Sequence, residues 1–415
     1  MNVLFIVTES TSANGICALS VAKAMLKRGD EVSCIVNREY GDKIVYIKDG
    51  IQFITVSPRM VYAISSLISG KKDLSRLSRK YLGIISWIIN KVELFFSLPT
   101  WPVISRSYAR RIFNSIKELG ADKKLDIIVP VYTQIDTVIA ANRYKKQCDK
   151  SVIVIPYFLD SLAAGYGPKM MSKKWVEKRG LKWERKLLQD VDHIVMMKSS
   201  EHFYDKHQND LPYYRKISFL DLPLFMPVPY EGTANIKEKK EILYVGTIPG
   251  HIRNPKYLLE TFSRLERSNV TLTIIGPSTC ETLIAEYVNK DSRITRIQSV
   301  PHEEAIKRIQ DADILLNLGN NITTMTPSKI FEYISTGKPI ISTAPIPEEP
   351  CIPYLKKYGN SIVLYENRAI DESVKMLETF IQSARTINPN GLSETFCLNH
   401  PNAFLEVVDK TFVRS

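Results

Sequence analysis

No two of the six cysteines (Cys17, Cys34, Cys148, Cys280, Cys351 and Cys397) form a C-x-x-C pair, and none stands at zinc-ligand spacing from a histidine. This excludes a zinc module and a disulfide scaffold, and predicts reduced, mostly buried thiols. Only six histidines are spread over 415 residues, without the triad or metal cluster that nucleophilic hydrolysis or zinc chemistry needs. No short-period repeat is present, so solenoids are excluded. Glycine and proline do not gather into tracts, which removes collagen-like and disordered classes. The chain runs from Met1 into an apolar strand pattern with no basic leader, which predicts a cytoplasmic protein.

Long apolar runs are also scarce. The nearest, Tyr81 to Leu98, is broken by Asn90, Lys91 and Glu93, whereas a spanning helix needs roughly 20 nearly uninterrupted apolar residues. It lies in the most basic part of the chain: eleven Lys and Arg against three acids between Arg59 and Glu118, a local excess of +8 within a total of +12. Two readings stand. One is an interfacial helix whose Trp87, Phe95 and Phe96 enter a membrane surface while Lys71, Lys72, Arg79 and Lys80 meet anionic lipid. The other is a core helix with a solvated basic neighbour. No nucleic-acid motif accompanies the charge, and no nucleic-acid partner is expected.

What is present is an α/β order that starts twice. Residues 2–7 read as a buried strand, Thr8 to Gly15 as a loop, Ile16 to Arg28 as a helix and Glu31 to Val36 as the next strand. Further apolar runs at Gln52–Val56, Leu125–Val131, Ser151–Pro156 and Asp192–Met197 lack alternation, as strands covered on both faces do. Three prolines between Pro223 and Pro229 and the charged run Lys237 to Glu241 mark a linker. Strand, loop and helix then resume at Ile242. The expected organisation is 1–228 as a doubly wound, Rossmann-like domain with a basic helical insertion at about 58–118, then 237–390 as a second. Residues 391–415 are expected to pack back on the first domain.

Two segments of the second half carry chemistry. In Tyr244-Val245-Gly246-Thr247 to Arg253-Asn254-Pro255, Gly246 ends a strand where backbone can approach a ligand, and Arg253 precedes a helix; this suits a diphosphate, as it suits a plain turn with a surface arginine. In Pro327-Ser328-Lys329-Ile330-Phe331-Glu332, Ser328 begins a helix, Lys329 lies in its first turn, and Glu332 is three residues on along the same face. A carboxylate there can accept ribose hydroxyls, and the lysine can neutralise phosphate. In the first half, Asp160 follows strand Ser151–Pro156, where a carboxylate can orient or deprotonate a hydroxyl, or cap a turn.

The run Tyr-Val-Gly, Arg-Asn-Pro, Ile-Ile-Gly-Pro and Pro-Ser-Lys-Ile-Phe-Glu-Tyr-Ile-Ser-Thr-Gly-Lys-Pro-Ile-Ile resembles the donor half of retaining glycosyltransferases of the family 4-like, group 1 type, related to bacterial capsule, O-antigen and exopolysaccharide enzymes. The resemblance covers roughly residues 240–345. It implies the GT-B architecture, two doubly wound Rossmann-like domains facing across a cleft, and transfer of a sugar from a nucleoside-diphosphate donor to a hydroxyl acceptor with retention. It makes 1–228 the acceptor domain and 237–390 the donor domain, and places Glu332 on the donor ribose, Arg253 and Lys329 near the diphosphate, Gly246 beside it, Val300 near the base, and Gly15 by the phosphates or acceptor, with Thr247 and Ser328 counted among the donor-binding residues. No metal or other cofactor is expected. The implied partners are a nucleotide sugar, a glycan or lipid-linked glycan, and an anionic membrane surface at the inner membrane face. Two departures stand out: Thr324 occupies a position where many relatives carry an acid, and Thr247 one where many carry an arginine. A non-catalytic sugar-nucleotide or glycan-binding subunit of the same fold, or a nucleotide-sugar epimerase, are the alternatives.

Overall fold

The computed structural model describes residues 1–39, 41, 43–71, 75–97, 101–164, 168, 171–230, 232, 239–323 and 326–414. Thr324, Lys72 and the first two residues of the charged linker run, Lys237 and Glu238, lie outside the described residues. The chain divides into two compact units, Met1–Pro223 together with Pro401–Ser415, and Leu224–His400.

In the amino-terminal unit, strands β1 (Asn2–Ile6), β2 (Glu31–Asn37), β3 (Val45–Lys48), β4 (Ile51–Val56), β5 (Ile127–Pro130) and β6 (Ile153–Val154) form one sheet in the order β3-β4-β2-β1-β5-β6. Every pairing is parallel except β3 with β4. That hairpin turns through Asp49 and Gly50, both at positive φ, the geometry an Asp-Gly pair favours. The strand predicted over Ser151–Pro156 is shorter and ends before Pro156, whose missing N–H cannot join a ladder. Beyond it β7 (Tyr157–Phe158) pairs with β8 (Ile194–Met197), and β8 with β9 (Ile217–Leu220), as a separate small sheet.

The first helix, α1 (Ala13–Arg28), is capped by Ser12, whose hydroxyl accepts from the Gly15 amide, and ends at Gly29 in the left-handed region. The basic segment divides in two. Helices α2 (Met60–Gly70) and α3 (Arg76–Ser97) pack on each other. Helix α4 (Arg106–Asp122) instead buries Tyr108, Ile112, Phe113, Ile116 and Leu119 in the sheet's core beside α5 (Ile135–Gln147). Only α2 and α3 are thus peripheral. Helices α6 (Lys173–Leu188) and α7 (Glu201–Lys206) follow, the first supporting the small sheet's core through Val176, Leu187 and Leu188.

The carboxy-terminal unit is one parallel sheet of β10 (Lys240–Val245), β11 (Val270–Ile275), β12 (Ile294–Ile297), β13 (Ile314–Asn317), β14 (Ile340–Ala344) and β15 (Ser361–Tyr365), ordered β12-β11-β10-β13-β14-β15. Its connecting helices are α8 (Lys256–Ser263), α9 (Glu281–Lys290), α10 (His302–Asp311), α11 (Lys329–Ser335), α12 (Ile352–Tyr358) and α13 (Ile370–Ser383). Leu272, Ile274, Ile314, Leu316 and Ile341 fill its core, each contributing about 1.5–3 kcal/mol by burial. The last helix, α14 (Asn402–Arg414), belongs to the amino-terminal unit: Phe404 packs on Tyr157 with ring centroids 5.0 Å apart, and Asp409 pairs with Arg28 at 2.7 Å.

The strand order reverses between β10 and β13 in one sheet and between β1 and β5 in the other. In open parallel sheets the crevice outside the strands' carboxyl ends at such a reversal is where ligands bind.

Candidate functional site

At the carboxy-terminal reversal, β10 ends in Gly246-Thr247 and β13 leads into Gly319-Asn320. Arg253 joins the two. Its Nε donates to Asn320 Oδ1 at 2.6 Å, and a terminal nitrogen reaches the Thr247 carbonyl at 3.4 Å. The same carbonyl accepts from the Tyr244 hydroxyl at 3.0 Å, and the guanidinium lies beside that hydroxyl. Asn320 is fully buried and is set by Glu349, whose carboxylate accepts from the Asn320 amide at 3.2 Å and from the Cys351 amide at 2.8 Å. Burial pushes the Glu349 carboxyl above its ordinary pKa, against the pull of these amides. Arg253 itself is partly exposed, so a charged fork held at the crevice floor still faces solvent.

The glycines explain how the backbones come so close. A Cβ on Gly276, at φ +124°, would stand 2.2 Å from the Gly246 carbonyl oxygen, and one on Gly319 would stand 2.2 Å from the Thr343 carbonyl oxygen.

Helix α11 is brought to the same crevice by Tyr333. Its buried hydroxyl accepts from the Val245 amide at 3.1 Å and donates to the Val245 carbonyl at 3.2 Å, tying the helix to the end of β10. One residue earlier, Glu332 pairs with Lys329 at 2.7 Å, both side chains partly exposed. Ser328 sits in right-handed helical backbone at the cap position without a side-chain cap bond. Gly337, at φ +71°, closes the helix. Lys329, Glu332, Arg253, Gly246 and Thr247 therefore belong to one constellation at the ends of β10 and β13. Val300 follows β12, an outer strand two positions from β10. Asn320 and Glu349 were missed from sequence; a Gly-Asn pair directly after an apolar strand was the available signal for the first.

The remaining expected residues lie in the amino-terminal unit. Gly15 is in the first turn of α1 rather than in the loop: its amide is taken by Ser12 Oγ at 3.1 Å, and a Cβ would stand 2.0 Å from the Glu9 carbonyl oxygen. Its structural role is close approach of helix and loop. Asp160 follows β7, and its Oδ2 accepts from Asn14 Nδ2 at 2.9 Å, so Asp160 and the start of α1 meet. Among the described residues no three His, Cys, Asp or Glu side chains gather as a metal site. Cys17, Cys34 and Cys351 are buried, but Cys148 and Cys397 are exposed.

Helix α3 departs from the core-helix reading. Arg79, Leu82, Ser86, Ile89 and Glu93, at helical spacing, are its less exposed residues among those described, whereas Leu77, Tyr81, Ile84, Ile85, Ile88 and Val92 are exposed, and Phe95 and Phe96 are 69% and 75% exposed. No helix among the described residues is long and apolar enough to cross a membrane. On α4 and α5 a groove of about 220 Å³ is lined by Arg106, Arg110 and Arg143 with Ile104, Ala109, Ile139 and Ala140.

Comparison with known proteins bears on the whole arrangement. Residues 239–382 match the family model described as glycosyl transferases group 1. No curated protein matches in sequence. Similar solved structures include the lipopolysaccharide outer core galactosyltransferase WaaB (14% identity, 99% of each chain, TM-score 0.51). WaaG, a glycosyltransferase involved in lipopolysaccharide biosynthesis, aligns over 92% of this chain and 90% of its own (15% identity, TM-score 0.52). UDP-GlcNAc 2-epimerase from Methanocaldococcus jannaschii aligns over 99% and 100% (11% identity, TM-score 0.52). At such identities the likeness is one of fold, and the fold is GT-B.

Proposed function

We propose that the chain, whose fold is GT-B and whose residues 239–382 match the glycosyl transferases group 1 family model, is a glycosyltransferase that moves a sugar from a nucleoside diphosphate to a glycan hydroxyl with retention of configuration. The observation that carries this is the Arg253–Asn320 bond across the β10–β13 reversal, beside the Lys329–Glu332 pair. With donor bound, Lys329 and Glu332 exchange each other for better partners: the ammonium for phosphate oxygen, the carboxylate for both ribose hydroxyls. Arg253, oriented by Asn320 and Thr247, takes the diphosphate as a bidentate fork. The charge that develops on the departing diphosphate is then met by two cations placed before the reaction starts, and no cofactor is assigned. Gly246 lets the backbone approach, Ser328 supplies a hydroxyl, and Val300 borders the base.

In the amino-terminal unit, Asp160, held by Asn14, orients the acceptor hydroxyl. The acceptor is a lipid-linked glycan of bacterial surface polysaccharide synthesis. The α2–α3 pair rests on the anionic inner membrane face, its exposed apolar stripe in the headgroup boundary and the basic residues around it against lipid phosphate. Binding is peripheral and reversible.

The test is a thermal-shift screen of nucleotide sugars, followed by transfer from the best donor to lipid-extract and soluble glycan acceptors. Nucleoside diphosphate release coupled to a glycosylated product supports the reading. Donor binding without turnover marks a non-catalytic subunit, and an altered sugar without acceptor marks an epimerase.

A further inference from the structure

The amino-terminal sheet has its own reversal, and the groups there are of a different kind. The loop after β1 and the loop after β5 are joined by a hydrogen bond between the Thr8 and Thr133 hydroxyls. Next to Thr8, the partly buried Glu9 carboxylate lies beside the Tyr62 hydroxyl, which reaches in from α2. Next to Thr133, the Gln134 side chain lies beside that same hydroxyl. Gln134 is only 8% exposed, yet neither its amide nitrogen nor its amide oxygen is hydrogen-bonded among the described residues. A buried carboxamide with both atoms unpaired is costly to leave so.

We propose that Glu9, Tyr62 and Gln134 form a subsite for the vicinal hydroxyls of a sugar ring. The chemistry fits that ligand class. An amide offers one acceptor and a pair of donors, a phenol offers either, and a carboxylate accepts; adjacent hydroxyls both donate and accept and satisfy all three. Phosphate does not fit, because Glu39 stands close enough to Glu9 for like-charge repulsion and an anion would add to it. Tyr62 belongs to α2, the partner of the apolar-striped α3, so the ligand matched by both features is a glycan carrying an apolar chain. This rests on the reading of the amino-terminal unit as the acceptor unit, and it assigns that acceptor three residues no comparison supplies.

The experiment is saturation-transfer NMR on the full chain with octyl β-D-glucoside below its micellar concentration. Saturation is expected on the ring protons as well as the alkyl chain. Gln134→Leu removes both unpaired atoms at nearly constant shape, so melting is expected to be unchanged or raised, while the dissociation constant read from the ring protons rises about tenfold, the loss of one good hydrogen-bonded contact. Glu9→Gln is expected to act in the same direction and covers the case in which the leucine variant fails to fold. Ring signals absent from the wild type, or unchanged in both variants, would overturn the subsite and leave a bound water as Gln134's partner. The best-binding of UDP, GDP, ADP and TDP titrated into the same samples separates the two claims: its binding is expected to be unaffected by either variant, and failure of all four to bind the wild type counts against the glycosyl-transfer reading instead.

Discussion

Both sheets are bridged where their strand order reverses, but with opposite chemistry. The carboxy-terminal crossing is cationic: Arg253 is held by Asn320, itself set by buried Glu349, with Lys329 alongside. The amino-terminal crossing is hydroxyl-rich and mildly acidic, with Thr8, Thr133, Tyr62, Gln134 and Glu9. On the proposed function, the same topology serves diphosphate in one crevice and a polyol in the other. Fold alone would not distinguish them; the side chains at the strand ends do.

The largest expected effect breaks the cationic side. Arg253→Ala should weaken a nucleoside diphosphate by about 4 kcal/mol, close to a thousandfold, if the fork makes two charged bonds of about 2 kcal/mol each. Calorimetric titration checks it, and an unchanged affinity would make both crevices equally uncharged in function.

Next in size is a pH effect confined to the amino-terminal unit. Glu184 is fully buried under Tyr204 and Tyr213, whose hydroxyls each donate to it at 2.9 Å, and under the Ala163 amide at 3.0 Å. Burial pushes its carboxyl up to about 7 from an ordinary 4.5, against those bonds. The folded state thus holds a proton that the unfolded state has released, so stability falls as pH rises from about 4.5 to about 7 and is level above. The loss is about 3 kcal/mol at most, at about 1.4 kcal/mol per pH unit. Calorimetric melting across that range should show the slope in wild type and a flatter profile in Glu184→Gln.

Glu332→Gln should cost donor binding about 1.5–3 kcal/mol, one charged hydrogen-bonding group. A nucleoside competition assay reads it, and no loss would remove Glu332 from the ribose. The smallest effect per residue belongs to α3: changing Arg79, Lys80 and Lys91 to Ser should weaken co-sedimentation with anionic vesicles by at most about 1 kcal/mol each, less in high salt. Changing Phe95 and Phe96 to Ser should weaken it independently of salt, and equal recovery without vesicles would contradict the surface reading.

How much of this was legible in the sequence depended on whether the signal was contiguous. Gly246, Arg253, Lys329 and Glu332 sit in two short runs, and their strands and helices were readable from apolar periodicity. Asn320 and Glu349 act through folded contacts between the segments that follow β13 and β14; the Gly-Asn pair hints at the first, and nothing in the local pattern marks the second. The hairpin at Asp49-Gly50 was readable in principle from its turn pair, yet the exposed Val45 and Ile47 of β3 gave no clean alternation. The apolar run of α3 shows the limit of composition: its residues suit a core helix as well as a surface one, and only exposure separates the two. Pro156 was visible, but that it divides two sheets is a matter of pairing.

The most direct measurement is a paired titration of wild type and Lys329→Ala with the best-binding of UDP, GDP, ADP and TDP and with its free nucleoside. If the β10–β13 crevice holds the donor's diphosphate, the variant should lose about tenfold or more for the diphosphate, one charged contact, and keep its nucleoside affinity. Equal losses for both ligands, or none for either, would contradict that assignment.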